Sequence, residues 1–435
     1  MITVLVQLAV ILGAVYAGRA AARLLRQPEV IGEICAGLLL GYVVMRIAGT
    51  GFFSDGLIEV VRAVGKAGLA LFLVGMAVEL RRGLAGIRLG ELGKVAAGSL
   101  ALPLAGGVAL ALWLIGTGRP ELAGTGGPVL VGTGGSEPAL VAMIAISLAV
   151  TAVPVLARIM AARGLAGDTA GTLALGSAVL IDAVAWLLLS VLIGLSAAGL
   201  GGVLLSVTVS CGGLAVALGV RRLLERGRAG ALWAARPRAA AVLTGLIAVG
   251  AMEAAGRWGL TEFLGPLLVG LAVPSDHATR PHAGDRPAAA DDAPVRGRPA
   301  DRIGALGLRL VPAFFVVTGV GLFAGPDAAN VGWDVIVVTT VVAMIGKIGG
   351  GYLGAVGAGH SRRTGLRVGV LMNARGLTEI VFLQAGYAAG LLPPALYLAF
   401  LVMAVVTTAA TGPLLSLVER IPAAHPMTSK GAGRP

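Results

Sequence analysis

Two ionisable residues, Asp182 and Lys347, lie near the middle of stretches that are otherwise apolar enough to span a bilayer. A charge at the centre of a membrane helix costs roughly 2.5–3.5 kcal/mol on insertion scales, so residues of this kind are rare and usually functional. Removal of a carboxyl group from water favours its protonated form. In a half-dry cavity, Asp182 could therefore exchange a proton for a hydrated cation. The alternative is a structural hydrogen bond between helices.

Three further charged residues are expected to tune this site. Burial of a lysine favours its neutral form, so Lys347 could itself titrate, or it could form an ion pair with a carboxylate. Arg375 and Glu379 lie four apart in the run NARGLTE, a spacing that predicts an intrahelical ion pair. Gly376, in the same run, is expected to contribute backbone to a broken helix.

The segment around Pro154 is expected to break a second helix at membrane depth. Proline removes a backbone donor and clashes with the preceding turn. Freed backbone is tolerated at that depth only where protein buries it or where it lines a cavity. Thr151, Ser147 and the freed carbonyls are therefore candidate cation ligands beside Asp182. A plain proline kink is the alternative, and the helix interrupted at Gly376 is expected to cross this one.

The composition is that of a polytopic membrane protein. The mean hydropathy is +0.91, and only 13% of the 435 residues are charged, too few to cover a soluble protein of this length. The net charge of +12 resides in short loops, so membrane orientation explains it and nucleic acid is not an expected partner. Cys35 and Cys211 lie in apolar segments and indicate neither a disulfide framework nor a metal site.

Loop charges predict the orientation in the membrane. A span needs about 20 apolar residues. Thirteen candidate spans lie at residues 3–24, 30–47, 57–80, 91–115, 137–160, 170–196, 199–220, 238–256, 259–274, 303–324, 332–357, 365–389 and 395–418. Loops after odd-numbered spans hold most of the arginines, whereas the others hold only Arg46, Arg119 and Arg257. By the positive-inside rule, the N-terminus is outside the cell membrane and the C-terminus is cytoplasmic.

Short internal similarities predict an all-α fold of two inverted six-helix repeats joined by a linker helix. GKVAAG at 93–98 resembles GKIGGG at 346–351, and GEI at 32–34 resembles TEF at 261–263. Inverted repeats with a mid-membrane site between broken helices are typical of secondary transporters. The predicted units are a first repeat at 1–196 with core helices at 137–196, a linker helix and basic loop at 197–237, a second repeat at 238–418 with core helices at 303–389 and a disordered loop at 275–301, and a short cytoplasmic tail at 419–435.

Taken in order, several motifs resemble the monovalent cation:proton antiporter-2 family of the sodium/proton exchanger superfamily. They are QPEVIGEI at 27–34, LFLVGMAVEL at 71–80, TAVPVLAR at 151–158, Asp182 with Trp186, GK at 346–347 and NARGLTE at 373–379. The resemblance covers nearly the whole chain. It implies a homodimer, in which a dimerisation domain supports a mobile core domain with two crossed broken helices. Asp182 matches the ion-binding aspartate of the family, and Lys347 matches its core-domain lysine.

One position departs from the family pattern. Many members carry two acidic residues, or an amide and then an acid, where this chain has Ile181 before Asp182. Isoleucine can neither titrate nor bind a cation, which leaves one-for-one exchange, an altered substrate or a loss of transport open. The expected function is elevator-type antiport of Na⁺ or K⁺ against protons, with Asp182 as the shared site. The cation is cargo, so neither a cofactor nor a resident metal is expected.

Three other functions are alternatives to cation/proton antiport. The same fold could carry an organic ion or an ionophore-bound cation, which the missing second acid favours. An intramembrane aspartyl protease needs two facing aspartates, and only Asp182 lies deep in an apolar segment, so no enzymatic activity is expected. A channel would need a filter-like ring of carbonyls or acids, and the sequence indicates none.

Overall fold

The computed structural model describes residues 2–25, 27, 29–47, 49, 51–83, 89–118, 136–165, 168–225, 235–257, 262–274, 299–323 and 331–420. All regular elements in these ranges are α-helices, as the composition predicts. In chain order they are α1 (Ile2–Leu24), α2 (Glu29–Ile47), α3 (Asp55–Gly83), α4 (Leu89–Gly116), α5 (Glu137–Ala149), α6 (Val153–Ala162), α7 (Thr169–Glu225), α8 (Pro237–Arg257), α9 (Leu264–Ala272), α10 (Pro299–Phe323), α11 (Trp333–Gly357), α12 (Arg362–Met372), α13 (Leu377–Ala388) and α14 (Pro394–Glu419).

Eight helical segments of the described chain are long and apolar enough to cross a membrane. They are α1, α4, the two arms of α7, α8, α10, α11 and α14. Large apolar side chains stay exposed on several of them, for example Leu12 at 60% and Leu200 at 78%. An apolar surface of this extent would be unfavourable in water, and it indicates that the protein resides in a bilayer.

The long helix α7 reverses direction at Gly199. Its φ of +58° lies in the left-handed region that glycine adopts without steric cost. A Cβ placed on Gly194 would lie 2.5 Å from the carbonyl oxygen of Gly202. Residues eight apart approach this closely only where the chain turns back on itself, so α7 forms two antiparallel arms. The turn falls between the predicted spans at 170–196 and 199–220.

Small residues bring α4 and α11 into close contact. A Cβ on Gly350 would lie 2.4 Å from the Gly98 carbonyl oxygen, and one on Gly354 would lie 2.7 Å from the Cα of Val95. Since partner numbers fall on α4 as they rise on α11, the two helices are antiparallel. Tight packing by small residues is the usual way in which membrane helices associate. This contact fixes α11, the helix that carries Lys347.

A second closely packed group joins α2, α3 and α10. A Cβ on Gly319 of α10 would lie 2.2 Å from the carbonyl oxygen of Gly37 on α2. On the other side of α10, a Cβ on Gly307 would lie 2.3 Å from the backbone nitrogen of Phe72 on α3. These contacts leave no room for side chains between the helix backbones. The three helices therefore form a compact unit beside the helices that carry the charged residues.

Two helices are interrupted, and the interruptions touch each other. One separates α5, which ends at Ala149, from α6, which begins at Val153. The other separates α12 from α13 and contains Ala374. The backbone N–H of Ala152 donates a hydrogen bond to the Ala374 carbonyl oxygen at 3.2 Å. Each interruption thus satisfies part of the backbone that the other exposes.

Pro154 explains where the first interruption lies. It is the second residue of α6, where the N–H that proline lacks has no partner within the helix. A continuous helix would place its ring against the carbonyl of Val150, four residues earlier. Val150 instead adopts an extended conformation, with φ of −64° and ψ of 149°. The interruption thus lies just before Pro154 in the chain.

One predicted boundary needs correction. The loop predicted to be disordered at 275–301 falls mostly on residues 275–298, which lie outside the described ranges. Its last three residues are helical, because α10 begins at Pro299 and proline is favoured in the first turn of a helix. In the predicted tail at 419–435, the helix ends at Glu419, and residues beyond Arg420 are not described.

Candidate ion-binding site

Asp182 lies in the first arm of α7 and is almost completely buried, with 1% of its surface exposed. Neither of its carboxylate oxygens has a hydrogen-bond partner. Burial of an ionised carboxylate is costly unless it is paired or hydrogen-bonded. Lys347 and Glu379 lie within electrostatic reach of this group, and the backbone of Thr151 faces it without forming a hydrogen bond. Asp182 is therefore well suited to bind a proton or a cation.

Lys347 is fully buried and binds the end of α5. Its ammonium group donates to the hydroxyl oxygen of Thr151 at 2.6 Å, to the carbonyl oxygen of Ala149, and to that of Ser99 on α4 at 3.4 Å. A cation is favourable there because the C-terminal end of a helix carries partial negative charge. Lys347 forms no salt bridge with a carboxylate in the described part of the chain, so the ion pair that the sequence left open is not formed.

Arg375 binds the same helix end from the opposite interruption. Its guanidinium donates to the carbonyl oxygens of Ser147 at 3.2 Å and Leu148 at 2.7 Å, and it also forms an ion pair with Glu379. All these groups are buried. The predicted pair between Arg375 and Glu379 is thus present, but it is not intrahelical, because Arg375 precedes the first residue of α13.

The freed carbonyls at the end of α5 were predicted to be cation ligands, and side-chain cations occupy three of them. Those of Ser147 and Leu148 accept from Arg375, and that of Ala149 accepts from Lys347. The Ser147 hydroxyl donates to the carbonyl oxygen of Met143 at 2.7 Å. At membrane depth every backbone acceptor needs a partner, which explains why the protein places the donors of Arg375 and Lys347 here.

Gly376 allows the two interruptions to approach. Its φ of 162° is ordinary extended backbone, so backbone strain does not require glycine. Glycine is required because there is no space for a side chain: a Cβ on Gly376 would lie 2.5 Å from Cγ2 of Val155 on α6. Any side chain at this position would push α6 away from the second interruption.

Two threonines of α14 hold the second interruption in place, and neither was predicted from the sequence as a site residue. The Asn373 side-chain amide donates to the Thr407 carbonyl oxygen at 3.0 Å. The Thr408 hydroxyl accepts from the backbone N–H of Arg375 at 2.9 Å and lies 2.6 Å from the carbonyl oxygen of the same residue. The only signal in the sequence is that adjacent threonines interrupt an apolar run.

Three more polar atoms at the second interruption are buried without a hydrogen-bond partner. They are Oδ1 of Asn373, Oγ1 of Thr378 and Oε2 of Glu379. Of these residues, Glu379 lies within electrostatic reach of the Asp182 carboxylate. Oxygen atoms are the ligands that Na⁺ and K⁺ require, so this region can hold a monovalent cation.

Aromatic rings pack directly beside Asp182. Trp186 lies one helical turn further along α7 and contacts Phe263, which precedes α9, and Phe382 of α13. The ring centroids are 5.8 and 5.9 Å apart, in edge-to-face arrangements that are favourable for aromatic pairs. All three side chains are buried.

A cavity of about 530 Å³ borders Phe263 of this aromatic cluster. Ile193 on α7 and Ala385 on α13 line it, and Phe263 forms part of its wall. Lys66 and Glu262, whose charged groups are 3.0 Å apart, form a polar part of the cavity wall. The cavity thus reaches Phe263, which packs against Trp186, one helical turn from Asp182 along α7.

A family model described as "Sodium/hydrogen exchanger, transmembrane" matches residues 8–418. The chain belongs to this family. The resemblance drawn from the motifs is thereby confirmed. Solved structures agree on the fold: the sodium proton antiporter MjNhaP1 of Methanocaldococcus jannaschii superposes with a TM-score of 0.54 at 15% identity, covering 95% of this chain and 98% of that chain.

Curated relatives of the exchanger are named as cation/proton antiporters. Cation/H(+) antiporter 18 of Arabidopsis thaliana is 26% identical over 425 residues, which are 92% of this chain and 46% of the plant protein. K(+)/H(+) antiporter 1 of Saccharomyces cerevisiae is 26% identical over 405 residues, 91% of this chain and 44% of the yeast protein. Na(+)/H(+) antiporter NhaS4 of Synechocystis is 32% identical over 114 residues, 26% of this chain and 28% of that protein. The exchanger spans less than half the length of the plant and yeast relatives.

Ile181 contributes no polar group to the site of the exchanger. It is buried in an apolar cluster with residues of α4, α6 and α12, including Val95, Leu156 and Leu371. The position next to Asp182 therefore supports packing of the helix and does not add a second ionisable group.

Proposed function

We propose that this exchanger carries Na⁺ or K⁺ in exchange for protons, with Asp182 as the group that the two ions bind in turn. The observation that carries the proposal is the carboxylate of Asp182, which is buried at the two helix interruptions with both oxygens lacking a hydrogen-bond partner. A proton or a dehydrated monovalent cation would satisfy it, and each excludes the other. Two of the relatives are named as antiporters of Na⁺ or K⁺ with H⁺.

The charge balance supports one positive ion per cycle. Three carboxylates are buried in the described chain, those of Glu33, Asp182 and Glu379. Glu33 pairs with Arg19 at 2.5 Å, and Glu379 pairs with Arg375. Only Asp182 lacks such a partner, so only one negative charge is available to a transported ion. Exchange of one proton for one cation, which moves no net charge, is the stoichiometry that follows.

Lys347, Arg375, Thr151 and Ser147 hold the site in shape. The two cations fix the end of α5 against the second interruption, and Thr151 connects Lys347 to the backbone that faces Asp182. When it is protonated, Lys347 weakens the binding of a cation at Asp182, because like charges repel strongly in a low dielectric. This repulsion favours release of the bound ion.

The cavity supplies access from one side. Ions that enter it past Lys66 and Glu262 reach the wall formed by Phe263. Phe263 packs against Trp186, which lies one helical turn from Asp182, and Trp186 also contacts Phe382. An aromatic barrier of this kind excludes water and ions while it is closed. Access to Asp182 from this side requires that α9 and the helices carrying Asp182 and Phe382 move apart.

An elevator-type movement is consistent with the packing. Helices that the proposed repeats would make equivalent pack in pairs: α3 against α10, α4 against α11, and one interruption against the other. The contact of α1 with α2 likewise has a counterpart in α8 with α9. These pairs support inverted repeats at 1–196 and 238–418. We propose that the helices packed around the two interruptions (α4, α5, α6, the first arm of α7, α11, α12 and α13) move as a body against α2, α3 and α10 in a homodimer. The range 303–389 predicted as core also includes α10, but α10 packs closely on α2 and α3 and stays with them in this proposal.

The proposed orientation places the N-terminus outside and the C-terminus in the cytoplasm. The cavity then opens to the outside, because the first half of α3 and the end of α13 line it. We propose the cell membrane as its location, since the loop arginines follow the positive-inside rule.

Transport by proteoliposomes tests the proposal. Vesicles with an imposed pH gradient should lose it when Na⁺ or K⁺ is added, and Asp182→Asn should abolish the response because asparagine cannot bind a proton in exchange. Asp55→Asn, at an exposed aspartate of α3, is the matched control and should retain transport. Undiminished exchange by Asp182→Asn would refute the assignment.

A further inference from the structure

The cavity that borders Phe263 contains hydrogen-bond donors that have no role in the proposed exchange. Its volume is about 530 Å³, and its lining comes mainly from α3, α10 and α13. That volume falls in the range of small-molecule sites, roughly 300–1,000 Å³. The polar side chains of the lining therefore indicate what kind of molecule the cavity can hold.

Arg62 and Lys66 lie one turn apart on α3, and both line the cavity. Lys66 is held by Glu262 at 3.0 Å and lies 3.9 Å from Glu253, which is not part of the lining. The charges of Lys66 and Glu262 thus satisfy each other. Arg62, by contrast, forms no ion pair or hydrogen bond with another residue in the described part of the chain. Its guanidinium can bind the oxygens of an anion in a bidentate manner.

Gln384 of α13 presents a second donor to the cavity. Its Oε1 accepts a hydrogen bond from the Tyr397 hydroxyl at 2.8 Å, which leaves the amide nitrogen for a ligand. Within the described residues this nitrogen has no acceptor. The hydroxyl groups of Thr318 and Tyr387, which also line the cavity, can donate or accept. The available side chains therefore suit a ligand that accepts hydrogen bonds and carries a negative charge.

Aromatic rings form much of the remaining wall. Phe263, Phe314 and Tyr387 line the cavity, together with aliphatic residues such as Leu69 and Leu322. Aromatic rings pack favourably against one another in offset or edge-to-face arrangements. An inorganic anion would leave this apolar wall in contact with water, whereas a ring attached to the anionic group would cover it.

We infer that this cavity binds a small aromatic carboxylate or sulfonate. The anionic group lies at the Arg62 guanidinium and the Gln384 amide nitrogen, and the ring packs against Phe263, Phe314 and Tyr387. This binding does not depend on the proposed ion exchange.

Calorimetric titration of the purified full chain tests the inference. The probe is naphthalene-2-sulfonate, and the neutral naphthalene-2-sulfonamide is its matched control. We expect saturable binding of the sulfonate and weaker binding of the sulfonamide. Arg62→Gln should weaken sulfonate binding about tenfold or more, because a hydrogen-bonded charge is lost. Arg46→Gln, at an exposed arginine of α2 outside the lining, should leave it unchanged.

A second variant tests the donor on α13. Gln384→Glu keeps an acceptor for the Tyr397 hydroxyl but replaces the amide donor by a negative charge, so it should abolish sulfonate binding. Equal binding of sulfonate and sulfonamide, or equal binding by Arg62→Gln and Arg46→Gln, would overturn the inference. So would displacement of the sulfonate by phosphatidylglycerol in every variant alike, which would assign the probe to the lipid-facing surface.

A consequence for transport rests on the proposed function. A bound anion contacts α3 and α10 as well as α13, which the proposed movement requires to separate. Naphthalene-2-sulfonate should therefore slow cation-dependent proton movement in proteoliposomes, and a higher concentration should be needed in Arg62→Gln. Binding without an effect on exchange would support the anion site and contradict the access route proposed for this cavity.

Photolabelling of the unaltered protein tests the site without any variant. 4-Benzoylbenzoate, a photoreactive aromatic carboxylate, is irradiated with the full chain, and the labelled peptides are identified. Labels on the cavity faces of α3, α10 and α13 that excess naphthalene-2-sulfonate prevents would support the inference. Labels confined to other helices, or labels that the sulfonate does not reduce, would contradict it.

Discussion

Asp182 and Lys347 both lie near the middle of an apolar stretch of sequence, but their surroundings in the structure differ. Lys347 donates three hydrogen bonds to groups on α4 and at the first interruption, whereas Asp182 receives none. One residue is therefore held by the protein, and the other is the group to which we assign the binding of the proposed ions.

Replacement of Lys347 should destabilise the protein. Lys347→Met leaves the Ala149 carbonyl and the Thr151 hydroxyl without their donor, and each buried unsatisfied acceptor costs about 1–3 kcal/mol. The melting temperature of the purified protein should fall by several degrees. Lys94→Met is the matched control, since Lys94 holds the corresponding position of the proposed first repeat and is exposed. Equal melting temperatures for the two variants would contradict the role given to Lys347.

The sequence predicts which residues are chemically important, but not which residues they contact. The depth of Asp182 and Lys347 follows from the apolar runs around them, and the spacing of Arg375 and Glu379 predicts their pairing. Ala149 and Lys347 are 198 positions apart, and nothing local indicates that the lysine binds that carbonyl. The occupied carbonyls of α5 became evident only once the two interruptions were seen together.

At the scale of helices, the residue types near a position predict an interruption within a helix better than they predict where a helix begins. Pro154 determines the first interruption because its ring cannot follow a helical Val150. The threonines of α14 that hold the second interruption have no comparable signal, because their partners lie more than thirty positions away. The start of α10 at Pro299 was missed because the polar composition before it resembles a loop.

Close packing of α4 and α11 is expected to depend on single glycines. Gly350→Ala would place a Cβ 2.4 Å from the Gly98 carbonyl oxygen, and overpacking of this kind costs about 1–3 kcal/mol. Gly357→Ala, in the same helix, meets nothing within 4 Å and gains helix propensity. The melting temperature should therefore fall for Gly350→Ala and stay level or rise for Gly357→Ala. A common shift in both variants would contradict the packing described for these helices.

At the scale of the whole molecule, the exchanger fold was predictable because many weak motifs occur in one order. The arrangement of α8 and the second arm of α7 around α9 was not predictable from the sequence, since it depends on how three helices pack. The predicted thirteen spans, the inverted repeats and the orientation remain predictions that need direct tests.

Cysteine labelling tests the orientation. In a background with Cys35→Ala and Cys211→Ala, Thr117→Cys and Ser361→Cys place thiols at exposed positions after α4 and before α12. A membrane-impermeant maleimide added to intact cells should label Thr117→Cys, and it should label Ser361→Cys only after permeabilisation. The reverse pattern would invert the proposed topology, and labelling of both in intact cells would contradict the predicted number of spans between them.

The most direct measurement is proton release on cation binding by the purified exchanger. Addition of Na⁺ or K⁺ to weakly buffered protein should release protons in a fixed ratio to the protein, because the cation displaces the proton from Asp182. Asp182→Asn should release none, and Asp55→Asn should match the unaltered protein. Cation binding without proton release, or unchanged release from Asp182→Asn, would contradict a shared carboxylate at Asp182.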